Sequence, residues 1–196
     1  MRMIILADDV QQQELTGGQP FTGVLFVSTF EELVRQQAAD IYMDLQFENT
    51  PSRIGILRKL LPATVVINCV ADTLEDTDHR FVRVNGWPTF LRGKTIEASG
   101  KDHDLTEKAF QVFGKQVEWL PDTPGLVSAR VVCMIIHEAF LSFTEGVSSR
   151  QDMDTAMKLG TNYPFGPFEW AEKIGQDRLQ RLATRLGYPL PGVTKV

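Results

Sequence analysis

Short apolar runs punctuate the first hundred residues. MRMIILA at 1–7 predicts a buried strand. GVLFVS at 23–28, DIYMDLQF at 40–47 and ATVVINCV at 63–70 read the same way. After the first run the chain is polar and Gln-rich, and it breaks at Gly17-Gly18 and Pro20. Thr29 and Glu32 have the spacing of a capping box, which predicts a helix through FEELVRQQA. SRIGILRKLL predicts a short amphipathic helix. Strands alternating with helices at this spacing predict a parallel α/β sheet. FVRVNGWPTF, GKTIEAS and VEWLP read as further strands, and DLTEKAFQVFGKQ as a helix with Asp104 as its candidate N-cap.

From about Thr123 the pattern is helical only. TPGLVSARVVCMIIHEAFLSFTEGV has Pro124 near its start and Gly146 near its end. Its middle is apolar nearly all round, so it is expected to be buried or to lie in an interface. Ser149 and Asp152 frame a helix through RQDMDTAMKL, closed by Gly160. FEWAEKIGQDRLQRLATRLG predicts one or two helices interrupted at Gly175. The expected division is residues 1–121 and 122–196.

The 196 residues are 43% hydrophobic and 23% charged, with a net charge of -5. This composition suits a soluble globular protein and argues against nucleic-acid or basic membrane-surface binding. The opening MRMIILADD does not read as a secretory leader, and no apolar run reaches the ~20 residues of a bilayer span. A cytoplasmic location is the expectation. Cys69 and Cys133 sit in apolar runs and read as small buried hydrophobes. His79 and His103 read as solvated turn residues, and His137 as a core or interface histidine. No His, Cys, Asp and Glu set has metal-ligand spacing, so no metal is expected.

DMDTAMKLG at 152–160 and YPFGPFE at 163–169 closely resemble the C-terminal domain of 3-hydroxyacyl-CoA dehydrogenases. DTPGLVSARVVCMIIHEAF resembles the helix preceding them in that family. Upstream the resemblance is patchier. ADIYMDLQFEN at 39–49 is similar to the family's A-D-L-V-I-E-A-V-P-E-N, with Asp44 where the family has its first Glu and with Glu48-Asn49 matching. RVNGWPTFLRGKTIEAS at 83–99 is similar to G-L-H-F-F-N-P-x-P-x-M-K-L-V-E-V, with Lys94 and Glu97 matching. The resemblance implies an α/β fold: a truncated Rossmann-like parallel sheet, then an all-α C-terminal domain. It also implies a homodimer through the helical domain and a cleft for an acyl-CoA or another small ligand.

Two departures from the family pattern bear on activity. The Gly-rich turn that lets backbone approach a pyrophosphate is absent, since the first glycine is Gly17. Asp8 and Asp9 would lie near the phosphates instead. Such a repulsion costs roughly 4 kcal/mol at about 4 Å and an effective dielectric of ~20, against ~8 kcal/mol for micromolar binding. The expectation is therefore no cofactor, where the family uses NAD. The family's catalytic His falls on Asn85, and a carboxamide takes up no proton near neutral pH. Glu97, which would orient that His, is kept; its bland reading is a salt bridge or a solvated strand position. The possible substrate cleft comprises Asn68, Cys69, Lys94, Ala129 and Arg130, with Ala129 replacing the family's Asn. The expected function is that of a non-catalytic dimeric ligand-binding or scaffold module, a pseudoenzyme of fatty-acid metabolism. The alternative is an active oxidoreductase on 3-hydroxyacyl-CoA or a related hydroxy acid with an altered cofactor site.

Overall fold

The computed structural model describes residues 1–36 and 38–191. They form two compact units, divided between Leu126 and Val127. Asp122, near which the sequence pattern changes, is held within the first unit: its carboxylate accepts from Leu74 N and Arg83 Nε.

The first unit runs β1 (Met3–Leu6), α1 (Asp9–Thr16), β2 (Val24–Val27), α2 (Phe30–Arg35), β3 (Ile41–Asp44), α3 (Pro51–Leu57) and β4 (Thr64–Asn68). It continues through β5 (Val82–Val84), β6 (Thr95–Ser99), α4 (His103–Val112) and β7 (Gln116–Trp119). The seven strands make one sheet in the order β2-β1-β3-β4-β5-β6-β7. Every pairing is parallel except β5 with β6. Alternate residues of the central strands feed two cores. Met3, Ile5, Met43 and Val66 join Leu15 and Phe110 on one face. Ile4, Leu6, Tyr42 and Val65 join Leu33, Ile54 and Leu57 on the other. Burial on both faces is why these strands read as unbroken apolar runs.

Two local expectations are corrected in this unit, and one polar stretch gains an element. The polar stretch after β1 is a helix, α1. It lacks an apolar stripe but carries its own punctuation: Asp8 and Gln11 form a capping box, and Gly17 ends the helix at φ 61. Asp104 does not cap α4. It lies in the first turn, Asp102 is the N-cap residue, and the Asp102 carboxylate is bound by Thr64 Oγ1. The run FVRVNGWPTF is a strand only over Val82–Val84, because the N–H groups of Gly86 and Trp87 donate to the side chains of Asn68 and Asn85 and Pro88 has none to give.

The second unit contains α5 (Ser128–Thr144), α6 (Arg150–Thr161), α7 (Pro167–Ile174) and α8 (Gln176–Arg185). Gly160 does not close α6. The helix passes through it and ends at Asn162, which takes the left-handed conformation at φ 56. The motif residues of 152–169 join helix ends. Asp154 on α6 accepts from Phe168 N in the first turn of α7 at 2.8 Å. Glu169 accepts from Gly166 N at 3.0 Å and pairs with Lys158. A Cβ on Gly166 would run into the Asp154 backbone, so glycine is required there. Among the described residues no helix is long and apolar enough to cross a membrane.

Candidate functional site at the carboxyl ends of the strands

In an open α/β sheet, ligands bind at the carboxyl ends of the strands, where strand order reverses. Here that point lies between β1 and β3. The turn after β1 presents the N-terminus of α1, and Asp8 Oδ1 already accepts from Gln11 N at 2.8 Å. The Gln11 side chain is buried behind this cap. Its Nε2 donates to Leu45 O and Gly86 O, both at 2.9 Å. Its Oε1 accepts from Asp8 N and from Gln46 Nε2. Asn68, at the end of β4, makes a parallel bridge: Nδ2 donates to Leu45 O at 3.0 Å and Oδ1 accepts from Gly86 N at 2.9 Å. Two carboxamides thus tie the ends of β3 and β4 to the segment after β5. Gly86 permits this approach, since a Cβ there would come within 2.9 Å of Asn68 Cγ. A carboxylate cap and a packed amide network do not fit a pyrophosphate in the place where a glycine turn would hold one.

Asn85 follows β5 directly and is buried. Its N–H donates to Glu97 O at 3.2 Å, which continues the β5–β6 register by one step. Residues opposite one another in an antiparallel pair share a face. The structure therefore brings Asn85 and Glu97 together as cross-strand neighbours. Glu97 is in turn registered with Glu118 on β7. Across three strands the row reads amide, carboxylate, carboxylate. Glu118 escapes a sequence reading because VEWLP shows only an isolated acid on a short strand.

Cys69 is buried and its Sγ donates to Asp72 O at 3.5 Å. Lys94 is exposed at the start of β6. Ala129 is fully buried on α5 and Arg130 is exposed on that helix, both in the helical unit. Arg83 is a residue that sequence reasoning passed over. Fully buried, it pairs with Asp122 and donates to the carbonyls of Cys69, Asp72 and Thr123. It holds the β4–β5 connection, which contains no helix, against the segment that follows β7. The available signal was an arginine between valines in a fully apolar strand.

The segment after Asn85 is pinned from α1. Both oxygens of Glu14 accept from Thr89 N, at 2.7 and 3.0 Å, and Thr89 has φ 83. Burial raises the Glu14 carboxyl above its ordinary range, opposed by the Thr89 hydrogen bond and Arg92. Burial likewise raises Asp44 at the end of β3, against the Arg53 guanidinium that binds both of its oxygens. Among the described residues no cluster of His, Cys, Asp and Glu could hold a metal ion.

Residues 125–191 match the family described as 3-hydroxyacyl-CoA dehydrogenase, C-terminal domain. The chain is 3-hydroxyacyl-CoA dehydrogenase-like. A probable 3-hydroxybutyryl-CoA dehydrogenase of Bacillus subtilis (strain 168) is 44% identical over 189 residues, covering 88% of this chain and 66% of that protein. The 3-hydroxyadipyl-CoA dehydrogenase of Escherichia coli (strain K12) is 45% identical over 96 residues, covering 47% of this chain and 20% of that protein. The crystal structure of (S)-3-hydroxybutyryl-CoA dehydrogenase from Ralstonia eutropha shares the fold with a TM-score of 0.66 at 23% identity, covering 85% of this chain and 67% of that one. The matches to the E. coli protein and to human mitochondrial hydroxyacyl-coenzyme A dehydrogenase span only 20% and 27% of those relatives.

These relatives correct one expectation. All are dehydrogenases by name, and removing hydrogen from an alcohol requires an acceptor that a cofactor supplies. The expectation of no cofactor conflicts with them and is withdrawn. The turn after β1 bears on how an acceptor would be held, and does not argue that there is none.

Proposed function

We propose that this 3-hydroxyacyl-CoA dehydrogenase-like protein acts as a dimeric module that binds a small acyl ligand, an acyl-CoA in the first instance, without the family's general-base step. The observation that carries the reading is Asn85. It stands beside Glu97, where the resemblance places a histidine, and it cannot accept a proton near neutral pH. General-base catalysis contributes about 10²–10⁴-fold, and this position forgoes it. The homodimer is supported by α5, which buries one apolar face and leaves another open.

A second reading is an active oxidoreductase on 3-hydroxyacyl-CoA or a related hydroxy acid. It is favoured by the dehydrogenase relatives and by the registered carboxylates Glu97 and Glu118. One experiment separates the two. Acetoacetyl-CoA is expected to raise the melting temperature of the purified chain, and NADH with acetoacetyl-CoA to give no oxidation of NADH. Steady turnover abolished by Glu97→Gln would establish the second reading instead.

A further inference from the structure

The β4–β5 connection contains no helix, and its last turn builds a charged pocket at the end of the sheet away from the amide network. Arg80 stands just before β5, and Arg58 lies in the turn between α3 and β4. Ser99 ends β6, which runs antiparallel to β5. All three therefore sit at the amino ends of the parallel strands. With Lys101 they line an open pocket of about 690 Å³, within the range of small-molecule sites, roughly 300–1,000 Å³.

Asp78 organises this pocket, and its side chain is 2% exposed. Its Oδ1 accepts from the backbone N–H and from Nε of Arg80, both at 2.9 Å. Its Oδ2 accepts from Arg80 Nη2 at 2.7 Å and from Arg58 Nε at 2.5 Å. Arg58 Nη2 donates to Thr77 O at 3.3 Å. One carboxylate thus fixes two guanidiniums and neutralises only one of them. Their Nη1 groups make no hydrogen bond among the described residues, and both side chains are about half exposed. Lys101 is exposed and forms no ion pair among the described residues.

The charges point to the ligand. Asp122 borders the pocket but is matched by Arg83. Against the remaining cations, Arg58, Arg80 and Lys101, stand only Asp78 and Glu75. The pocket is therefore cationic in a chain of net charge -5. Guanidiniums held in place with free N–H edges suit the oxygens of a phosphate, and an ammonium adds a point charge. Leu74 supplies an apolar wall, and the space exceeds what a bare phosphate fills. We propose that this pocket binds the phosphate group of a small phosphomonoester, at a site separate from the acyl-ligand site at the carboxyl ends of the strands.

Isothermal titration calorimetry of the purified chain with glycerol 3-phosphate, and with inorganic phosphate in parallel, tests it. Two-dimensional amide NMR spectra locate each probe. Glycerol 3-phosphate is expected to bind and to shift the amides of Arg80, Ser99, Gly100 and Lys101. Lys101→Gln is expected to weaken it about tenfold, and Glu75→Gln to strengthen it about threefold. Both positions are exposed, and a gain in affinity does not come from a damaged fold. Absence of binding by both probes overturns the site. Binding indifferent to both substitutions, or shifts confined to other amides, overturns this pocket. Binding of inorganic phosphate without the ester overturns the ligand class. Acetoacetyl-CoA is titrated separately. If it shifts the same amides and Lys101→Gln weakens it equally, the separate site is overturned; if it does not bind at all, the acyl-ligand reading fails and the pocket stands on the phosphate results.

Discussion

Single side chains settle much of the stability of the α/β unit. Arg83 is buried against one carboxylate and several carbonyls. Arg83→Met would strand those acceptors and is expected to cost about 3–5 kcal/mol in chemical denaturation. Thr106 presents the opposite case. Its hydroxyl is buried without a hydrogen-bond partner among the described residues, so Thr106→Val is expected to stabilise by about 1 kcal/mol. Asp78 connects residue chemistry to pH. Arg80 first, and Arg58 with it, hold its carboxyl well below the ordinary range. A depressed carboxyl stabilises the fold above the unfolded value of ~3.9, and that stability drains away as pH falls below it. Asp78→Asn is expected to lower stability at pH 7 and to flatten the loss below about pH 4, read from urea midpoints across that range. At this scale Asn85 and Glu97 were legible as a pair because the spacing of matched residues carried them. Arg83 and Gln11 were not, because burial of a polar side chain is set by neighbours distant in the chain.

Helices and strands here are determined largely by their ends. The capping boxes at Thr29–Glu32 and Asp8–Gln11 fix where α2 and α1 begin. The first was readable because apolar periodicity followed it. The second was not, because α1 carries almost no apolar stripe and buries Gln11 and Leu15 instead. The α6–α7 corner joins DMDTAMKLG and YPFGPFE into one unit. Asp154 serves the α7 N-terminus while Lys158 and Glu169 join the two helices. Gly166→Ala is expected to destabilise the helical unit by about 3 kcal/mol, since its Cβ meets the Cα and Cβ of Asp154 as well as the carboxylate that holds Phe168 N. A fall in the melting temperature of that unit, read by differential scanning calorimetry, checks it. The end of α6 moved from Gly160 to Asn162 for a related reason: glycine within a helix is tolerated, and the left-handed residue that stops it is set by the turn to α7.

For the whole molecule, the pattern of short apolar runs followed by helices determined the architecture: a sheet covered on both faces, then a helical unit. Periodicity suffices for that because each strand and helix must bury whatever apolar surface it carries. The matched motifs likewise determined the family resemblance, since they record helix-capping and corner contacts that are local in the chain. The candidate site was decided by tertiary structure. Gln11, Asn68 and Gly86 meet at the strand ends only because the order β2-β1-β3-β4-β5 brings distant turns together. The Asn85–Glu97–Glu118 row exists only through the register of β5, β6 and β7. The open face of α5 was also beyond the sequence. A helix apolar on nearly all sides does not reveal which face its own chain covers, and the packing of α7 and α8 leaves the Met134 side lining an open groove.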